Sequence, residues 1–201
     1  MLTAITRAVS PAIGLCELEY LERRPIDFAK AEAQHHAYEQ CLAELGANVI
    51  SLPAEPDLPD SVFVEDPALV LDEVAVITRM GAESRRPEAD SLAATLSRYR
   101  PLVRLAAPAT LEGGDVMRIG RTLYVGASSR SNAEAIDQLR RHLAPFGYQV
   151  VAVPVHGCLH LKSACTYLGN DSILAHRAWI DTAPLSAYNI VDVAPDEPSA
   201  G

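Results

Sequence analysis

Three stretches of this chain, "PDSVFVEDPALVLDEVAVITR" (59–79), "LEGGDVMRIGRTLYVGASSR" (111–130) and "CLHLKSACTYLGNDSILAHR" (158–177), run in the same order. Each has a polar entry, an apolar strand, a tight turn and a second strand. The turns fall at Asp72-Glu73, Gly120-Arg121 and Gly169-Asn170-Asp171, which are residue types suited to β-hairpin loops. Between the hairpins lie helical patterns, each followed by a short apolar strand. "AKAEAQHHAYEQCLAELG" stops on Gly46 and leads into "NVISLP". The Ala-, Leu- and Arg-rich segment after Ser84 leads into "LVRLAAP", and "SNAEAIDQLRRHLAPFG" leads into "YQVVAVPV". Ser131, three residues before Glu134, reads as a capping box that opens the last of these helices. The predicted unit is hairpin, helix, strand.

The polar entries Asp60, Glu112 and His160 are separated by steps of 52 and 48 residues. A period of about 50 residues marks a repeat architecture, and units set around an axis bring corresponding loops to one end of it. The expectation is an α/β fold of repeated units in which Asp60, Glu112 and His160 face a common centre. The alternative is a plain α/β sheet whose loops scatter. The first residues supply a strand and a helix, as if entering in mid-unit, and "YNIVDVAPDEPSAG" supplies the strand that should precede another hairpin. Residues 1–201 are therefore expected to form a single catalytic domain that lacks its last unit, because a closed ring would need more chain.

A length of 201 residues suits one domain with a real core, and 49% hydrophobic with 21% charged residues is an ordinary globular composition. The net charge of −9, with no stripe of Lys and Arg, argues against a nucleic-acid partner and permits a cationic ligand. No apolar run has the length of a membrane span, and "MLTAITRAVSP" lacks the charged start and apolar middle of a signal peptide. No membrane association is expected, and the compartment expected is the cytoplasm. Cys16, Cys41, Cys158 and Cys165 show no zinc-ligand spacing, so reduced, packed thiols are expected and no metal or cofactor.

His160, flanked by leucines, has as its simplest reading a half-buried histidine. Its equivalence with Glu112 points further, to an imidazole and a carboxylate that converge as an acid/base and substrate-holding pair. Gly113 and Gly114 are expected to let a ligand approach the backbone beside Glu112. In "DSVFVED", read as a strand, Glu65 and Asp66 point to opposite faces, so at most one joins Asp60. A guanidinium would compensate several such carboxylates at once, each charged hydrogen bond contributing about 1.5–3 kcal/mol. Arg85 and Arg130, in corresponding loops, are candidates to clasp one anion. Asp115 is expected to be structural.

The motifs "PDSVFVEDPA", "ITRMGAESRR", "TLEGGDV", "LYVGASSRSN" and "LHLKS", in this order and at these spacings, resemble the dimethylarginine dimethylaminohydrolases of the guanidine-modifying superfamily. The resemblance implies a five-unit α/β propeller of the pentein type, here incomplete. It also implies hydrolysis of Nω-methylated arginine, a small-molecule substrate, to citrulline and a methylamine through a covalent intermediate on cysteine. By resemblance, His160 is the general acid and base, and Glu112 with Asp66 holds the guanidinium. Asp60 and the backbone near Leu18 take the substrate's amino group, and Arg85 and Arg130 take its carboxylate. Phe63 lines the pocket, and Glu65 supports the arrangement from behind. The oligomer is not fixed by the sequence, although an open ring invites association, as in a homodimer. The nucleophilic cysteine belongs to a C-terminal motif and is expected beyond Gly201. Of the two thiols near His160, Cys158, two residues away, could share its face but has no precedent in the family pattern, whereas Cys165 reads as core. Arginine deiminase chemistry and a non-catalytic guanidino-binding fragment stay open as alternatives.

Overall fold

The computed structural model describes residues 2–194, 196, 197, 199 and 200. They divide into two compact units, residues 1–64 and 65–201.

In the first unit, β1 (Thr3–Arg7) pairs in parallel with β2 (Asn48–Leu52) through the intervening helix α1 (Phe28–Glu44). This is the strand, helix and strand that the first residues were read to supply. Asp27 caps α1 by accepting from the Lys30 N–H, and Gly46, at φ +87°, ends it as the sequence predicts. No residue of α1 is fully buried.

The second unit holds three three-stranded sheets, and they share one plan. In the first, β3 (Ala68–Val70) and β4 (Ala75–Ile77) form an antiparallel hairpin, and α2 (Glu88–Leu96) returns the chain to β5 (Leu102–Arg104), parallel to β4. The second repeats this with β6 (Val116–Ile119), β7 (Thr122–Ala127), α3 (Ala133–Leu143) and β8 (Gln149–Pro154). The third has β9 (Cys165–Gly169), β10 (Ser172–Ala175) and β11 (Asn189–Asp192), with β11 parallel to β10. Its connection carries a single 3₁₀ turn, Ala183–Leu185, in place of a long helix. The predicted hairpin–helix–strand unit is present, with that one abbreviation.

Packing follows the helical period. Ala135, Ile136, Leu139 and Leu143 form the buried face of α3 and pack in one core with Leu123, Val125 and Val150 of the sheet beneath. A second core gathers Met117, Tyr124, Val153, Leu161, Cys165, Ile173 and Leu185. The capping box predicted at Ser131 is not formed. Asn132 caps α3 by accepting from the Ala135 N–H, while the Ser131 hydroxyl turns inward and donates to Asp115. A buried carboxylate outcompetes a helix end that the next residue can cap equally well.

Candidate active site

Each hairpin of the second unit is entered through a short non-strand segment, and these segments deliver the polar groups. Residues 64–67 form a turn ahead of β3, Gly113–Asp115 a 3₁₀ turn ahead of β6, and α4 (Leu161–Ala164) a single helical turn ahead of β9. Asp66, Glu112 and His160 each direct a ligand atom to one place, all within 4.8 Å of one another. His160 Nε2 lies 3.5 Å from Glu112 Oε2 and 3.9 Å from Asp66 Oδ1. The expected convergence of Glu112 and His160 is therefore met, and Asp66 joins them.

The reading of Glu65 and Asp66 as strand residues does not hold. The backbone turns here, with Phe63 N–H donating to the Asp60 carbonyl and Val64 N–H to that of Val62, and strand pairing begins at Ala68. The two acids still part company. Asp66 is buried and accepts from the Gly114 N–H at 2.8 Å, whereas Glu65 is exposed and ion-paired with Lys162.

The glycines also have a packing role inside the protein. A Cβ on Gly113 would meet the Glu65 carbonyl oxygen at 2.0 Å, and one on Gly114 would meet the His160 ring at 2.5 Å. The thin backbone makes room for the protein's own carbonyl and imidazole.

Positive charge surrounds the acids. Arg85 is buried, donating to Asp66 Oδ2 at 2.9 Å and through two nitrogens to Glu88, each at 2.9 Å, with Glu112 Oε2 at 3.9 Å. Burial alone would lower its basicity, but Glu88 and Asp66 more than offset that and hold it above the ordinary arginine value. Arg130 reaches Glu112 Oε1 at 3.3 Å, and the Ala82 N–H donates to the same oxygen at 3.1 Å. Both guanidinium groups thus reach Glu112, and here they face carboxylates of the chain itself. Glu88, in the first turn of α2, was missed by sequence reasoning; its signal was an acid three residues after Arg85 at a helix start.

His160 is held between acids. Burial pulls its pKa down, while Asp115, then Asp66 and Glu112, pull it up, and the balance leaves it above the ordinary histidine value. The two thiols near His160 have raised pKa values. Burial and the nearby Asp115 push Cys158 up to about 11, and burial with Cys158 beside it pushes Cys165 up to about 12. Cys16, Cys158 and Cys165 are packed as expected, but Cys41 lies exposed on α1. Asp66, Glu112 and His160 are also the residues among those described that could gather around a metal ion. Such a cation would compete with Arg85 for the same carboxylate charge.

The remaining predicted residues belong to the first unit. Asp60 is buried, and its carboxylate oxygens accept from the Glu17 N–H at 3.0 and 3.2 Å, which ties it to the backbone next to Leu18. Leu18 and Phe63 are exposed. Among the described residues no helix is long and apolar enough to cross a membrane.

The fold and this cluster have counterparts of known structure. A cysteine-to-serine mutant of the dimethylarginine dimethylaminohydrolase from Pseudomonas aeruginosa, complexed with citrulline, superposes with a TM-score of 0.90 at 35% identity, covering 96% of this chain and 76% of that one. The class is thus the α/β fold of the guanidine-modifying superfamily. The family model for eukaryotic N,N-dimethylarginine dimethylhydrolase matches residues 21–184. The N(G),N(G)-dimethylarginine dimethylaminohydrolase of Streptomyces coelicolor is 41% identical over 183 residues, which is 90% of this chain and 71% of that protein. The Pseudomonas aeruginosa enzyme is 38% identical over 173 residues, 85% of this chain and 68% of that protein. This chain belongs to the dimethylarginine dimethylaminohydrolase family.

Proposed function

We propose that this protein hydrolyses Nω-methylated arginine to citrulline and a methylamine. The observation that carries this reading is the meeting of buried Asp66 and Glu112 with half-buried His160, which joins an acid cradle for a guanidinium to an imidazole able to move a proton. The names of the relatives at 41% and 38% identity support the substrate class.

In this mechanism Glu112 and Asp66 hold the substrate guanidinium in its charged form, so that its central carbon is electrophilic. A cysteine thiolate adds to that carbon. The bond to the methylated nitrogen breaks as His160 Nε2–H gives up its proton to the departing amine. The neutral imidazole then takes a proton from water as the oxygen attacks, and the thiolate leaves to yield citrulline. Asp60 and the backbone near Leu18 receive the substrate's amino group, Phe63 lines its path and Glu65 supports the turn that carries Asp66. Arg85 and Arg130 receive the carboxylate, after exchanging their present partners for it. The thiolate is assigned to a cysteine other than Cys158 and Cys165, whose raised pKa values keep them protonated near pH 7, and residues 1–201 are read as one catalytic domain. A cytoplasmic homodimer completes the reading, and light scattering of the purified protein checks the dimer.

Calorimetric titration of the 201-residue chain with asymmetric dimethylarginine, beside arginine, tests the proposal. Binding of the methylated ligand is expected, and Glu112→Gln weakens it about ten- to a hundredfold, the value of one charged hydrogen bond. A folded chain that ignores methylated arginine but takes arginine would replace the reading with that of a deiminase.

A further inference from the structure

Asp115 was read from the sequence as merely structural, yet its surroundings are unusual for a structural acid. The side chain is fully buried. Its Oδ2 accepts from the hydroxyls of Ser131 at 2.6 Å and Ser128 at 2.7 Å, and its Oδ1 accepts from the Leu161 N–H at 2.9 Å. These three donors are neutral. The group against Asp115 that can carry positive charge is the His160 imidazole, whose Nδ1 lies 3.5 Å from Oδ2. Nδ1 is itself buried and makes no hydrogen bond of good geometry among the described residues, so this carboxylate is what answers it.

The two sides of the imidazole therefore differ. On the Nε2 side, Asp66 and Glu112 share their charge with Arg85 and Arg130. On the Nδ1 side, Asp115 faces the ring and, among the described residues, has no arginine on it. A buried carboxylate lacking a cation is costly, so the arrangement favours a proton kept on Nδ1. Asp115 also grips the amide of Leu161, the residue directly after His160, and so holds the histidine at its backbone as well as its ring. The seat is cut to fit: a Cβ on Gly126 would meet Asp115 Oδ1 at 2.5 Å.

We propose that Asp115 is the positioning residue of this site, keeping Nδ1 of His160 protonated and the ring oriented so that the proton exchanged in the reaction is the one on Nε2. This inference rests on the assignment of His160 as acid and base, but its test reads the imidazole directly and needs no turnover. The pKa of His160, held up by Asp115 ahead of Asp66 and Glu112, agrees with it. Cys158, whose thiol donates to the His160 backbone carbonyl at 3.4 Å, is a further titratable group near this residue, and stays neutral near pH 7.

The experiment is long-range ¹H–¹⁵N spectroscopy of the His160 imidazole through a pH titration, in the 201-residue chain and in Asp115→Asn, with assignment by His160→Gln. In wild type the neutral ring is expected as the Nδ1–H tautomer. In Asp115→Asn the preference passes to Nε2–H and the titration midpoint falls. A wild-type ring protonated on Nε2 overturns the proposal, and so does a folded Asp115→Asn whose tautomer and midpoint are unchanged. Should Asp115→Asn fail to fold, the wild-type tautomer decides alone. Failure of methylated arginine to bind, with the Nδ1–H tautomer intact, would instead count against the proposed substrate and leave Asp115 its role.

Discussion

Helices α1 and α3 occupy the same place in their units, between two parallel strands, yet they are held differently. In α3 five residues are buried and the apolar ones share a core with the strands of their own sheet. In α1 no residue is fully buried, and its contact with its strands includes the hydrogen bond from Thr6 to Glu39. The difference follows from how each sequence distributes its apolar residues. "AEAIDQLRRHL" concentrates Ala, Ile and Leu on one face, whereas "FAKAEAQHHAYEQCLAE" spreads small and polar residues around the helix. The second unit therefore owns its core, and it is the unit that carries the Asp66–Glu112–His160 cluster.

The contrast can be broken with paired substitutions. Leu139→Ala, at a fully buried position, is expected to destabilise the second unit by about 2–5 kcal/mol. Leu42→Ala in α1, at a half-buried position, should cost under about 1 kcal/mol. Denaturant unfolding followed by circular dichroism measures both, and equal costs would show that α1 has a core of its own.

A smaller effect separates two glycines. Gly114→Ala drives a methyl group into the His160 ring and is expected to cost about 1–3 kcal/mol and to disturb the histidine spectrum. Gly14→Ala, where nothing lies within 4 Å of the added carbon, should stay within about 0.5 kcal/mol.

The subtlest contrast is in pH. His160 of the second unit has a raised pKa. Its contribution to stability is thus fully present below the unfolded value of about 6.5 and is lost as pH rises through the folded one. Glu39 of the first unit has a lowered pKa: burial alone would raise it, but hydrogen bonds from Thr6 and Ser51 and the charge of His35 outweigh that. Its contribution is present above the unfolded value of about 4.3 and is lost as pH falls through the folded one. Hydrogen exchange followed residue by residue across this range should show the second unit loosening at the alkaline end and the first at the acidic end.

The hairpins, their turn residues, the returning strands and the order of units were legible in the chain because they depend on local periodicity and turn chemistry. The third connection was not foreseen as a bare 3₁₀ turn, since an abbreviated helix leaves no periodic signal to miss. Glu112 and His160 were legible as a pair through their common place in the repeat. Asp66 came through as a partner, but its setting was misread: a turn bonded through backbone carbonyls resembles an extended apolar run when only side chains are visible.

What the sequence by itself determined is the repeated α/β plan, the family and the set of acids and the histidine brought to the hairpin entries. Only the tertiary structure decided what each of these touches. Gly113 and Gly114 are small because a carbonyl and an imidazole from distant segments press against them, and Ser131 leaves a helix end for a buried carboxylate. Asp115 faces the histidine because two hairpin entries, 46 residues apart at Asp115 and Leu161, meet in space. Local pattern records the spacing of side chains along one segment. It carries no record of which desolvated groups meet across segments, and that meeting sets the cost of burying a charge and the place of a proton.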